Sequence, residues 1–580
     1  MPNFFTDNSD IFFQFDRIDF ESIVAKKEQN FIFSEKYPEA PKNLEDAVDN
    51  YRRVLEVAGA ICGDYVAPRA AAVDKEGATC EDGVVTYAQG TSDALDALTK
   101  AGMMGIMIPW EYDGLNFPQI VATVFVEMIS QGDASLMNIV GLQDIGMTIS
   151  KFGDEECKQR YLPRFASGEV TGAMALTEPD AGSDLQAVQL RATEDPENGC
   201  WRLNGVKRFI TNGCGHVMLV LARTETETKG GRGLSMLAYE TDETVRIRRI
   251  EDKLGIHGSP TCELQFNNSP AYLVGERRMG LVKYVMSLMN SARLGVSCQA
   301  LGIAQAAYNE ALKYANERKQ FGKEIIKFPA VYEMLADMQV AIETARSLVY
   351  ETSVVVDTLD LIVEQEERPE ELDADAKKKL RQDKKYYTRL ASVLTPMSKY
   401  LCSEMGNKVA DDAIQIHGGT GYMREFNVER HYRDARITNI YEGTTQFQVI
   451  AAIGGVLTGS LNGELDKLAN QAFPEEFDHL VNHLVDARKT LDKIVEYVKE
   501  KKDTTFQEFH ARRIVDIAMF TYIGYMALTE AMASEHKRFV AEHYIHHIIP
   551  QIEANAAYIL DDEEEILENH LRILGVEVAE

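Results

Sequence analysis

Apolar positions recur at separations of three and four through residues 44–165, as in 92–104, where Ala94, Leu95, Leu98 and Ala101 share one face. That period predicts amphipathic helices. The texture then changes. Residues 174–176, 188–192, 201–203, 206–210, 217–222, 234–239 and 262–266 are short, β-prone runs, and Asn204-Gly205 between two of them predicts a hairpin turn. From Gly280 long Ala/Leu/Glu-rich helical segments run to about Leu461, interrupted by a charged block at 364–385 that contains Pro369. That block reads as a solvated loop or an exposed helix extension. A last helical region fills the remainder. The expected class is therefore mainly α with a central β domain (α+β). The expected segments are an N-terminal extension (1–45), a helical domain (46–170), a β domain (171–275), a helical bundle (276–461) and an additional C-terminal helical domain (462–580). Strands and helices do not alternate, which disfavours a doubly wound parallel sheet.

The 580 residues correspond to about four units of ~150 residues each. With 45% hydrophobic and 26% charged residues, the composition excludes global disorder, collagen-like repeats and disulfide scaffolds. Charge changes the picture more. Sixty-one Lys+Arg against 91 Asp+Glu leave a net −30, and residues 464–580 alone hold 12 basic and 24 acidic side chains. Such a field repels phosphate backbones, so no nucleic-acid partner is expected. The most apolar long stretch, 447–461, is broken by Gln448, Thr458 and Ser460, so no membrane span is expected. The N-terminus carries no basic patch, apolar run and small-residue cleavage site. None of the eight cysteines pairs at C-x-x-C spacing, and scattered thiols suit a cytoplasmic location.

The usual phosphate cradles, G-x-G-x-x-G and G-x-x-x-x-G-K-[ST], are missing, and the glycine runs at 418–421 and 230–233 have other spacings. H-E-x-x-H and G-x-S-x-G are missing too. His543, His546 and His547 fall at i, i+3, i+4. No carboxylate motif accompanies them, so they read as a solvated or packing helix face, and no metal site is expected.

Five segments carry more. They are A-L-T-E-P-D-A-G-S-D (175–184), K-R-F-I-T-N-G (207–213), G-I-H-G-S-P-T (255–261), E-R-K-Q-F-G-K (317–323), and Q-I-H-G-G (415–419) continuing through R-D-A (433–435) to I-Y-E-G-T-T-Q (440–446). In this order and at these separations the chain resembles the flavin-dependent acyl-CoA dehydrogenases over roughly residues 50–460. The resemblance implies a barrel-like β domain and FAD as cofactor. A reduced flavin needs hydrogen bonds at its ring edge. Leu176, Thr177 and Thr211 are candidates for these, with Met174 beside them. Phe209 stands where many members carry Trp against the ring, and the counterpart of Ser183 contacts cofactor or acyl-CoA.

The resemblance further implies that Arg318, with Gln320 and Phe321, meets the FAD of a neighbouring subunit, since a guanidinium forks onto pyrophosphate. Gln415, Ile416, Gly418 and Gly419 are expected to reach the same partner cofactor, and Thr444 and Gln446 match further FAD-contacting positions. Glu442 matches the family's base. Abstracting a proton next to a thioester asks for one carboxylate whose pKa burial raises toward neutrality. The alternative base position seen in some members is Ala292 here, which cannot take a proton. Arg293, Asn290, Met289, Tyr441 and Gly443 are the expected substrate-side residues. Asn290 and Met289 depart from the family's usual Asp and aromatic, which touches details of CoA contact.

The expected function is FAD-dependent α,β-dehydrogenation of a fatty acyl-CoA to the trans-2-enoyl-CoA, as in fatty acid β-oxidation. Electrons would pass to an electron-transferring flavoprotein, and a homodimer is favoured by the extra C-terminal length. The alternatives are an acyl-CoA oxidase, which passes electrons to oxygen, and a flavoprotein of the same fold turned to nucleic-acid binding or to a non-catalytic scaffold. The acidic C-terminal region and the retained Glu442 argue against nucleic-acid binding.

Overall fold

The computed structural model describes residues 2–368, 372–561 and 565–576. It divides into two compact units, residues 1–387 with 398–445, and residues 388–397 with 446–580.

In the first unit, a small hairpin of β1 (Thr79–Glu81) and β2 (Val84–Thr86) lies among helices that run as far as Glu155–Ala166. The β region follows, with β3 (Gly172–Ala175), β4 (Arg191–Asp195), β5 (Cys200–Thr211), β6 (Val217–Arg223), β7 (Leu234–Glu240), β8 (Val245–Ile250) and β9 (Thr261–Leu273). Pairings run β6–β4–β5–β9–β7, and β7 returns to β6, which closes the sheet into a barrel. Closure removes exposed edges. β3 pairs parallel with β6, and β8 adds to β9. Every residue of β6 is buried, and its side chains alternate between two cores. Met218, Val220 and Ala222 join one, and Val217, Leu219 and Leu221 join the other. That is the two-sided burial of a strand with both faces covered.

Two expectations change. Asn204-Gly205 does not turn a hairpin. It lies inside the continuous strand β5, at a register irregularity against β9. Gly205 has φ +142° and a Cβ there would come within 3.1 Å of Leu190 Cα, so the glycine serves a bulge with close backbone approach. Strand β8 (V-R-I-R-R-I) was not anticipated, because its arginines mask an alternating edge pattern.

Behind the barrel, the helix Met286–Glu317 packs on Gln119–Gly132 and Pro329–Glu367. Its apolar stripe is alanine-rich, and Gly302 admits the neighbouring helix so closely that a Cβ would meet Glu127 O at 2.4 Å. Helices Ser9–Asp16 and Phe20–Lys27 bury Ile11, Phe15, Phe20 and Val24 in the same core. Arg346, fully buried, pairs there with Asp10 and with Glu127 (2.8 Å) and donates to Gln305 (2.7 Å). In the charged block, helices extend to Glu367 and from Ala374, while Pro369 lies outside the described residues.

In the second unit, helices Asp478–Lys501, Thr504–Ala531 and Glu535–Leu560 pack on one another. Thr504–Ala531 is long and apolar enough to cross a membrane, and 83% of its most apolar window is buried within the protein. His543 and His547 stack at 5.9 Å along Glu535–Leu560.

Candidate functional site

Glu442 sits on a short turn between the 3-10 segment Arg436–Asn439 and the helix Thr445–Leu457. Both Glu442 (φ +55°) and Gly443 (φ +91°) are left-handed, a conformation a glutamate holds only when its surroundings enforce it. The long helix Ala374–His417 does so with two side chains. Lys399 Nζ donates to Gly443 O at 2.5 Å. Glu404 Oε1 accepts from Thr445 Oγ1 at 2.7 Å and from Asn439 Nδ2 at 3.3 Å, one on each side of the turn.

Burial raises the Glu442 carboxyl above its ordinary pKa, and the positive charges of Lys399 and Arg293 pull it back. Lys399, with no exposed surface, is itself pushed down to about 8 by burial, against the pull of Glu442. Burial also lowers the Arg293 guanidinium, and Glu442 opposes that shift. Lys399 had escaped the sequence reading. A lone lysine inside a 44-residue helix carries no local signal.

A cavity of about 140 Å3 opens at Glu442. Its walls are mostly apolar, with Met103, Met107, Phe125, Val126 and Leu288 among them. Of the residues singled out in the sequence, it brings together Met174, Thr211, Tyr441 and Glu442, and Ala292 lies in its wall. Asp144 is the second carboxyl lining it. Burial raises that group too, with the Ser291 hydroxyl opposing.

The other expected ring-edge residues lie at adjoining strand ends. Thr177 Oγ1 donates to Arg208 O at 2.5 Å, and Arg208 N donates to Thr177 O at 3.0 Å. Leu176 is buried, and its carbonyl accepts from Lys207 Nζ at 2.7 Å. Lys207 also pairs with Glu178 at 2.9 Å, whose carboxylate caps Gln189 N and Leu190 N. This buried pair, also not anticipated, anchors the tight turn that leads to the exposed Ser183. Phe209 has φ +63° and is 53% exposed, an aromatic ring held open beside Thr177 and Thr211. An uncharged hydroxyl pair beside an open aromatic face fits a planar cofactor ring. On the substrate side, Arg293 Nη1 donates to Asn290 Oδ1 at 3.1 Å, and Met289 is partly buried against the core.

The structure does not bring the Arg318 and Gln415 groups into that cavity. Arg318, Gln320 and Phe321 occupy an exposed two-residue-strand hairpin whose tip, Phe321, is 95% exposed. Gln415, Gly418 and Gly419 are exposed as well, whereas the Ile416 side chain is buried in the core, leaving only its backbone for contact. The two groups adjoin. Tyr314, whose carbonyl accepts from Arg318 N, stacks on His417 at 4.2 Å and meets Thr420 Oγ1 at 3.0 Å. Thr444 is partly buried, and Gln446 is exposed and belongs to the second unit.

Family models cover nearly the whole chain. Residues 49–169 match the acyl-CoA dehydrogenase N-terminal domain, 173–269 the middle domain, and 282–368 with 372–454 the C-terminal domain. Residues 457–566 match a separate model described as acyl-CoA dehydrogenase C terminal. A 3-methylmercaptopropionyl-CoA dehydrogenase of Ruegeria pomeroyi is 36% identical over 434 residues, 70% of each chain. A solved chain described under the electron transferring flavoprotein of Acidaminococcus fermentans superposes with TM-score 0.60 at 33% identity, covering 70% of this chain and 97% of that one. An acyl-CoA dehydrogenase of Bacillus anthracis, solved with FAD, shares the fold over 91% of this chain and 92% of its own, at 24% identity and TM-score 0.75.

Proposed function

From the premise that this chain belongs to the acyl-CoA dehydrogenase family, a FAD-dependent oxidoreductase, we propose that it converts an acyl-CoA to its trans-2-enoyl-CoA with Glu442 as the base. The observation that carries this reading is a single carboxylate on a strained turn, opening on an apolar cavity that Met174 and Thr211 also line. Bound against Thr177, Phe209 and Thr211, FAD supplies the hydride acceptor. Glu442 takes the proton from the carbon next to the thioester. Burial raises its basicity, and the charges of Lys399 and Arg293 oppose that rise. Lys399 holds the turn through Gly443 O, so the carboxylate keeps its direction as the proton moves. The apolar walls exclude water from the acyl chain.

Glu442→Gln tests the assignment. The purified variant keeps its yellow FAD, while anaerobic bleaching by acyl-CoA slows by about 10²–10⁴-fold, the usual worth of a positioned base. Unimpaired bleaching would move the base elsewhere, with Asp144 the next carboxyl in the cavity wall.

Several finer features belong to the same proposal. Electrons pass to an electron-transferring flavoprotein, in keeping with the similarity to the Acidaminococcus fermentans chain. Oxygen uptake with acyl-CoA as fast as dye reduction would make the protein an oxidase instead. The protein works in the cytoplasm, where its eight free thiols persist. It is a homodimer, with the exposed Arg318 hairpin and the Gln415–Gly419 turn reaching the partner's FAD.

A further inference from the structure

The segments G-I-H-G-S-P-T (255–261) and R-D-A (433–435) supply no residue to the cavity wall, yet the fold joins them. Ile256 is left-handed (φ +48°), and its N–H donates to Asp434 Oδ1 at 2.6 Å. Asp434 is 3% exposed, so this charge-assisted bond is made away from water. Gly255 lies against the same helix. A Cβ there would meet Arg433 C at 2.6 Å and Asp434 Oδ1 at 2.7 Å, so nothing larger than glycine fits without parting the two segments. Arg433 completes the clasp. Its guanidinium forks onto Asp74 at 2.7 and 3.1 Å and donates to Leu254 O at 3.3 Å. Asp74 also meets His257 Nδ1 at 2.9 Å.

Each side of the clasp runs directly to one wall of the cavity. The loop 255–260 enters β9, whose first residue, Thr261, stands opposite Thr211 in the register, and Pro260 O accepts from Asn212 N at 2.7 Å. On the other side, the helix Val428–Ala435 passes without a break into Arg436–Asn439 and so to Glu442, eight residues beyond Asp434. Thr211 and Glu442 both line the cavity. Lys399 and Glu404 tie the Glu442 turn to the helix Ala374–His417. The clasp ties the same stretch of chain to the barrel.

A base works within hydrogen-bond reach of its proton, and a misplacement of about 1 Å costs about 10²-fold in rate. We propose that Asp434 is a positioning residue for Glu442. Its bond to Ile256, at the close approach that Gly255 allows, fixes the distance from the base to the strand end that carries Thr211. The inference rests on the reading of Glu442 as the base.

The test reads single-turnover anaerobic bleaching of FAD-loaded protein, with butanoyl-, hexanoyl- or octanoyl-CoA at saturation, whichever bleaches the unsubstituted protein fastest. Two variants open the clasp by different means. Asp434→Ala removes the acceptor, and Gly255→Ala wedges the loop off the helix while leaving every polar group in place. In each, the flavin of the loaded fraction should bleach about 10²-fold more slowly, with the half-saturating acyl-CoA concentration unchanged. Asp434→Asn keeps an oxygen for Ile256 N and should recover most of that rate. Glu442→Gln, itself slowed, should become no slower when Asp434→Ala is added, because a clasp that acts through the base then has nothing left to position. Losses that multiply in the double variant overturn the inference. So does unimpaired bleaching in both clasp variants, even with lowered thermal stability, since the network would then only hold the fold. Loss of FAD from both overturns it too, by assigning the clasp to the cofactor site as a whole. The base reading fails on a separate result, fast bleaching in Glu442→Gln alone, and the inference then falls with it.

Discussion

Glu442 is held by a backbone that resists it and by charges that oppose its burial. Removing Lys399 separates these effects. Without its ammonium the Glu442 carboxylate loses a stabilising charge, so its pKa rises and the acidic limb of kcat/KM moves to higher pH. Lys399→Met is expected to move that limb upward. It also lowers kcat more than it raises KM, because the Gly443 carbonyl loses its clamp. Lys399→Arg restores the charge and returns the limb toward its original position. A pH profile unchanged in Lys399→Met would reduce the lysine to a packing role. At this scale legibility is uneven. Glu442 was readable because its neighbours I-Y-E-G-T-T-Q form a recognisable string. Lys399, Glu404 and the Lys207–Glu178 pair were not, because their meaning comes from a contact 44, 41 or 29 residues away along the chain.

Among elements, the short β-prone runs marked most of the barrel, since strands buried on one or both faces must be apolar somewhere. The failures were local. Asn-Gly signals a turn only when the chain can reverse, and in β5 the partner strand β9 continues past it. Strand β8 hides behind its arginines, of which Arg248 and Arg249 pair with Glu263 on β9 at 2.8 and 3.0 Å. The helices within residues 1–45 escaped because they are short, eight residues each, and their structure depends on the core that receives them. That dependence is testable. Asp10 is buried against Arg346, and its removal takes an acceptor from that guanidinium while Glu127 still balances the charge. Asp10→Ala should therefore destabilise the first unit by about 1–3 kcal/mol, the cost of a buried polar group left without its partner, seen as a lower denaturant midpoint. A midpoint shift under about 0.5 kcal/mol would mean that the N-terminal helices ride on the core without contributing to it.

For the molecule as a whole, the net charge of −30 coexists with a site controlled by cations. Lys399 and Arg293 set the local field at Glu442, and the excess of acid lies partly in residues 464–580. Subunit number turns on the other cationic group. Arg318 shares an exposed surface region with the Gln415–Gly419 turn, and no ion pair holds it among the described residues. If it acts on the partner's FAD, each dimer contains two composite sites, and two crippled subunits can complete one another. Arg318→Ala alone should retain FAD poorly, and Glu442→Gln alone should not turn over. Mixed, unfolded and refolded together at equal amounts, half of the dimers are hybrids. In each hybrid, one site combines an intact Glu442 with the other subunit's intact Arg318. About a quarter of all sites are then whole, so about a quarter of unsubstituted activity should return. If Arg318 serves its own subunit's cofactor, no hybrid site is whole, and the mixture stays as inactive as its components.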